Sequence, residues 1–271
     1  MKNSIIESIK SLPPLSKTIS DIEVVYKDSE AGIGDLARVI EHDPMIVANL
    51  LKTANSPLYG FGKEITSVSQ AVSLFGMSMT RSIALGNALR KLLNVDMQPY
   101  GITSEEFAEI SSMQAKLVDK WYKQLDKAKA EKLHLAAFLQ ETGKILIASD
   151  VIKEDEDVSF KSEVEMSNNL AQVEKSYVDV SSAEVTAEVF QHWGFDENFV
   201  AMIRFADNPA AAPDDIKEFS TVLNIIKTAL PINKPFSEQA INFALRKARD
   251  AGYNHELLED CIDEMMDLLE K

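Results

Sequence analysis

Cysteine, histidine, glycine and proline are all scarce in this 271-residue chain. The single cysteine, Cys261, excludes an intramolecular disulfide framework and fits a reducing compartment. Ten glycines and nine prolines fall short of the usual share of about 12%, so tight turns are few and strands joined by hairpins are disfavoured. The longest stretch without a charged residue runs from Ile65 to Thr80. It is too short and too rich in Ser and Thr to span a membrane. The N-terminus carries Glu7 and Lys10 with no apolar run, so no secretory signal is expected. Basic residues are also in deficit: 28 Lys and Arg face 43 Asp and Glu, a net charge of −15. That field repels a phosphate backbone and disfavours nucleic acid as a general partner. One cysteine cannot build a thiolate zinc site, and the four histidines, His42, His134, His192 and His255, lie far apart. His134 sits in an apolar helical context and reads as a hydrogen-bonded core histidine or a ligand. His192, beside Trp193, falls in a last helical turn, where an imidazolium suits the helix dipole.

Helical periodicity is present almost throughout. Leu15, Ile19, Ile22 and Tyr26 form one apolar stripe. Asp43-Pro44 places a cap before a first-turn proline, opening a helix with Val47, Leu50, Leu51 and Ala54 inward that ends before Ser56-Pro57. Ser67 caps a short helix stopped by Gly76, and another follows over Ser78–Leu93, completing an N-terminal group of about five helices. Thr103 and Glu106 form a capping box. The spacing of Phe107, Ile110, Gln114, Leu117, Val118, Trp121 and Leu125 predicts one continuous face of nearly five turns. Lys116, Lys120, Lys123 and Lys127 make a second stripe on that helix, either a solvated face or a docking surface for an acidic partner. Leu133 to Ile147 is strongly apolar and broken by Thr142-Gly143-Lys144. Glu154–Glu165 reads as a loop and helix start. Ser181 and Glu184 form a second capping box, and Asp196 caps the next helix. Ala210–Pro213 is the best linker candidate, followed by amphipathic helices to the C-terminus. Nothing reads as a strand, so the fold class is all-α.

Cofactor signatures are absent. No Gly-x-Gly-x-x-Gly follows a strand, and Thr142-Gly143-Lys144 lacks the first glycine of a phosphate-binding loop. The segment Leu51–Gly60 is a well-specified turn between helices, with Asn55 and Ser56 able to bond the backbone, or a surface for a partner.

Taken together, Leu12-Pro13-Pro14-Leu15, Ile40-Glu41-His42-Asp43-Pro44, Leu51–Gly60, Ile65-Thr66-Ser67-Val68 and Ala71-Val72-Ser73-Leu74-Phe75-Gly76 resemble the HDOD domain. This bacterial regulatory domain is related to the HD-type metal-dependent phosphohydrolases. A weaker likeness continues through Leu139–Lys144 and Val178–Asp207. The resemblance implies an all-helical fold, in agreement with the periodicity. It also implies where metal ligands would stand. The His-Asp-x-Gly-Lys-like element reads Gln140-Glu141-Thr142-Gly143-Lys144, so the Gly-Lys frame survives while the ligand pair has become Gln-Glu. Other ligand positions correspond to Ser111, Ser182 and Ala206-Asp207, and a later aspartate to the neighbourhood of Lys227. Neutral amides and hydroxyls hold a divalent ion weakly, so the resemblance implies a degenerate, metal-free pocket without cofactor.

The leading expectation is a non-enzymatic signalling protein that acts by binding a partner protein, in motility, gene expression or a similar process. It would be cytoplasmic, with no nucleic acid or membrane partner. The alternatives are a nucleotide sensor using the relic pocket (Gln140, Glu141, Lys144, Ser182) and an active metal-dependent phosphohydrolase. Candidate partner surfaces are Asn55, Ser56, Tyr59 and Phe61, and the stripe Lys116, Lys120, Lys123 and Lys127. The expected domains are 1–207 for the HDOD region, divided at 98/99 into an N-terminal bundle packed on an HD-like subdomain, with 208–271 as a helical extension.

Overall fold

A computed structural model describes residues 1–93 and 96–269. The helices are α1 (Asn3–Lys10), α2 (Lys17–Lys27), α3 (Ile33–Glu41), α4 (Pro44–Ala54), α5 (Val68–Leu93), α6 (Ser104–Lys120), α7 (Lys127–Leu139), α8 (Gly143–Lys153), α9 (Asp157–Met166), α10 (Leu170–Val178), α11 (Ser182–His192), α12 (Glu197–Arg204), α13 (Asp214–Ala229), α14 (Glu238–Asp250) and α15 (His255–Leu269). Short 3-10 turns lie at Gln98–Tyr100, Tyr122–Gln124 and Pro209–Ala211. No strand forms among the described residues, and the all-α expectation holds. Among them no helix is long and apolar enough to cross a membrane.

Contacts divide the chain into a larger unit, Met1–Leu12 with Leu93–Ile262, and a smaller one, Pro13–Leu92 with Asp263–Lys271. In the smaller unit the caps read from the sequence are made. Ser16 Oγ accepts from Ile19 N, and Asp43 Oδ1 accepts from Met45 N and Ile46 N ahead of Pro44. The buried face of α4 is Ile46, Leu50 and Ala54, with Val47 and Leu51 at its edges. Gly76 takes φ 75°, ψ 175° and breaks α5 there, as its stop signal predicts. Arg81 ties α5 to α2 through two 2.6 Å bonds to the Glu23 carboxylate, its guanidinium 4.2 Å from the Tyr26 ring centroid.

In the larger unit both capping boxes are closed, Thr103 with Glu106 and Ser181 with Glu184, and Asp196 caps α12. α6 packs on α7, α8 on α11, α11 on α12 and α13 on α14. Trp121, Tyr100, Tyr122, Phe160 and Phe190 are the large aromatic side chains fully buried in this unit's core. His134 is a core histidine, its Nδ1 3.1 Å from Asp119 Oδ2.

Several expectations are corrected. The long face after Phe107 does not run five turns: α6 ends at Lys120, and Asp126 accepts from Lys129 N to start α7. A new cap outcompetes continued periodicity, and Leu125 is left exposed. The lysine stripe is therefore not one stripe, because Lys123 lies in the 3-10 turn and Lys127 opens the next helix. Lys116 and Lys120 are half-buried. Ala210–Pro213 is not a linker: a 3-10 turn leads straight into α13, which packs on α12 and α7. Ser220 Oγ donates to Met202 O and Asn224 Nδ2 to Ala206 O across that junction. The contact division also departs from the one read in the sequence. Residues 1–12 join the larger unit because α1 buries Ile5 and Ile9 and packs on α8 and α11. Residues 208–262 belong to the same unit as 99–207.

Candidate functional site

The site begins where α8 starts against α11. Gly143 N donates to Thr186 Oγ1 at 2.7 Å, and that hydroxyl faces the carbonyls of Gln140 (3.0 Å) and Ser182 (2.7 Å). A Cβ on Gly143 would lie 2.3 Å from Ser182 O and 2.7 Å from Thr186 N, both backbone atoms. Glycine is required here by close approach, and that approach brings Lys144 beneath α11.

Lys144 is 1% exposed. Its Nζ donates to Glu174 Oε1 at 2.5 Å and to Ser182 Oγ at 2.8 Å, and lies 3.3 Å from Glu141 Oε2. Glu174, on α10, accepts from Ser182 N (2.6 Å) and from the Tyr100 hydroxyl (3.1 Å). Glu141 Oε1 accepts from Gln114 Nε2 at 3.3 Å, and Gln140 Nε2 donates to Gln114 Oε1 at 2.9 Å. From α13, Lys227 Nζ donates to Asp207 Oδ1 at 2.6 Å and stands 3.8 Å from Glu141 Oε2. Three carboxylates, Glu141, Glu174 and Asp207, thus surround two ammonium groups.

The titration shifts follow from this geometry. Burial alone pushes the Lys144 ammonium towards deprotonation, but Glu141 and Glu174 outweigh it and raise its pKa. Lys227 is likewise raised against burial, by Asp207 first and Glu141 next. Burial opposes ionisation of Asp207, yet Lys227 and Lys144 pull its pKa down to about 2. Burial, with Glu174 nearby, raises Tyr100 well above its ordinary value and keeps it a neutral donor.

Of the residues singled out from the sequence, Gln140, Glu141, Lys144, Ser182 and Asp207 do converge. Ser111 is buried but donates to Phe107 O of its own helix. Gln114, nearly one turn on from that lost-ligand position, is the α6 residue that reaches Gln140 and Glu141. Ala206 contributes its carbonyl to Asn224. Glu174, Thr186 and Tyr100 were missed, and Lys227 enters as a cation where an aspartate was considered. In the smaller unit, Asn55 is half of a staple: it donates to Leu51 O and Ile65 O and accepts from Ile65 N, all within 2.9 Å. Tyr59 and Phe61 pack their rings on Phe75, at 4.8 and 5.5 Å. Ser56 is half-buried in the same turn.

A divalent metal, which the resemblance noted in the sequence implies, does not fit these residues. Each carboxylate is engaged by a lysine, the Gln114 amide is taken up by Gln140, Glu141 and the Leu230 carbonyl, and the ion's charge would sit beside two ammonium groups. Among the described residues no group of three or more His, Cys, Asp or Glu could hold a metal ion.

Above this cluster opens a cavity of 520 Å³. Glu141, Lys144, Asp207 and Lys227 form its floor, whereas Gln140 and Ser182 do not line it. The rest of the wall comes from the start of α10, α13, the following loop and α14.

The chain is similar to an uncharacterized protein of Treponema pallidum (strain Nichols), 24% identical over 226 residues, which are 79% of this chain and 41% of that protein. It thus spans about two fifths of that relative's length. Its fold is that of an HDOD domain protein of unknown function from Geobacter sulfurreducens (TM-score 0.68, 16% identity, 98% of this chain and 95% of that one). It is also that of a Marinobacter aquaeolei VT8 protein assigned to signal transduction (TM-score 0.71, 21% identity, 98% and 62%). The HDOD domain family model matches residues 12–209. With the Gly143–Lys144 frame at the centre of the site and this match over most of its length, the chain belongs to the HDOD domain family.

Proposed function

We propose that this chain is a non-enzymatic regulatory protein of a bacterial signalling pathway, acting by binding a partner protein. The observation that carries the proposal is the pairing of Lys144 and Lys227 with Glu141, Glu174 and Asp207. Two ammonium groups stand among the carboxylates that would otherwise gather a catalytic ion, so no water is activated there for attack on a phosphoester. The cluster then serves as a buried polar core that fixes α6, α8, α10 and α13 around α11. Membership of the HDOD family and the fold shared with the Marinobacter protein agree with a role in signalling.

The test is metal content together with turnover. Protein purified from cells grown with added manganese, iron and zinc is expected to hold no stoichiometric metal and to leave phosphodiesters intact. Stoichiometric metal with turnover overturns the reading. The partner half fails if affinity capture from the source bacterium recovers no specific protein.

A further inference from the structure

The cavity above the lysine floor has a second set of charges. Five cations and three carboxylates line it, the reverse of the 28 to 43 balance of the whole chain. Lys144 and Lys227 are satisfied below by carboxylates. The other three, Lys234, Arg246 and Lys247, stand on the wall, where their partners are neutral. Lys247 Nζ donates to Asn224 Oδ1 at 2.7 Å and to Thr228 Oγ1 at 2.9 Å. Lys234 donates to the Glu165 carbonyl. The Arg246 guanidinium sits 5.0 Å from the Phe243 ring centroid. Among the described residues none of the three makes an ion pair. Asp250 is the carboxylate on this wall. Burial and the neighbouring Lys227 depress the pKa of Lys247, against a smaller upward pull from Asp207.

Two further features face the same space. Leu170 and Ala171, the first turn of α10, line it, so the positive end of that helix borders the cavity. Phe243 also lines it, an aromatic ring in a wall that otherwise includes the polar Asn224, Asn233 and Thr228. The volume of 520 Å³ lies within the range of about 300–1,000 Å³ typical of small-molecule sites. A long polyanion would meet the −15 field of the chain, whereas a small anion enters a locally cationic recess.

We propose that this cavity binds a phosphorylated small molecule of mononucleotide size. Lys234, Arg246 and Lys247 hold its phosphate, and Phe243 packs on its planar part. This goes beyond the partner-binding reading and does not depend on it: the ligand would be an input signal, the partner the output.

Isothermal titration of the full chain with AMP, GMP, inorganic phosphate and adenosine tests the proposal. One AMP or GMP per chain is expected to bind, weakening as salt is raised. Adenosine should bind at least about tenfold more weakly, as should AMP to R246Q/K247Q, a loss of about 1.4 kcal/mol. The variant's melting midpoint should fall only slightly, since both residues are largely exposed and only the Lys247 bonds to Asn224 and Thr228 are lost. Absence of binding by AMP, GMP and phosphate alike overturns the proposal, as does undiminished AMP binding by R246Q/K247Q. Inorganic phosphate binding as tightly as AMP overturns the role of Phe243. AMP recovered as adenosine would leave the cavity assignment standing and overturn the non-enzymatic reading instead.

Discussion

Gly143 and Thr186 join two helix starts through one 2.7 Å bond from a backbone N–H to a threonine hydroxyl. The carbonyl of Ser182 would lie 2.3 Å from any Cβ placed on Gly143. Gly143→Ala therefore has to separate α8 from α11, since neither backbone can yield like a flexible side chain. A loss of about 1–3 kcal/mol or more is expected in urea unfolding. Thr186→Ala, which removes a bond without adding bulk, should cost about 1–2 kcal/mol. A fully stable Gly143→Ala variant would refute this account of the frame.

Lys144→Met leaves Glu141 and Glu174 buried beside one another without their shared cation. Breaking a buried pair from one side costs about 3–5 kcal/mol, and unfolding midpoints should show a loss of that size. Lys144→Met combined with Glu174→Gln should recover part of it, because an amide tolerates burial better than an unpaired carboxylate. A double variant no better than the single one would show that shape, not charge, sets the penalty.

Acid should weaken the fold through Asp207. Its folded pKa of about 2 lies below the ordinary 3.8, so the stability it contributes is complete above about pH 4 and is lost as pH falls towards 2. That contribution is on the order of 2 kcal/mol. Urea midpoints measured from pH 5 to pH 2 should fall less steeply for Asp207→Asn than for the parent chain. Identical slopes would show that Asp207 carries no part of the acid sensitivity.

Asn55→Ala removes three bonds to the backbone of the α4–α5 turn. The expected cost is about 1–3 kcal/mol, with faster hydrogen exchange at the Ile65 amide. Asn55→Asp keeps the acceptor for Ile65 N and loses both donors, so it should fall between. If the Asn55 variants impair signalling while Ile65 keeps its protection, the residue acts on a partner directly.

Much of the scaffold was legible because its signals are local. Ser181–Glu184, Thr103–Glu106 and Asp43–Pro44 each carry both halves of a cap within four residues, and Gly76 needs no distant partner to break a helix. The end of α6 was obscured because Trp121 and Leu125 continue the apolar spacing of Phe107 and Leu117, and only the competing cap at Asp126 stops it. At the site, Gln140, Glu141 and Lys144 were visible as neighbours in one short element. Gln114 left a trace, a lone amide on an otherwise apolar helix face. Glu174 left none: on α10 it reads like any surface glutamate, and its burial arises only when Lys144, Tyr100 and Ser182 close on it. Lys234, Arg246 and Lys247 likewise belong to an ordinary amphipathic stretch until α13 and α14 fold over the cluster.

The balance of charge at the centre of this domain has a bearing on how the protein comes into being. Lys144 and Lys227 are translated with the chain, so the cations that neutralise Glu141 and Glu174 arrive by peptide synthesis and need no delivery. On the reading proposed above, maturation has no loading step, no competition with the cell's ion pools and no half-filled form. The abundance of correctly assembled protein then follows expression alone.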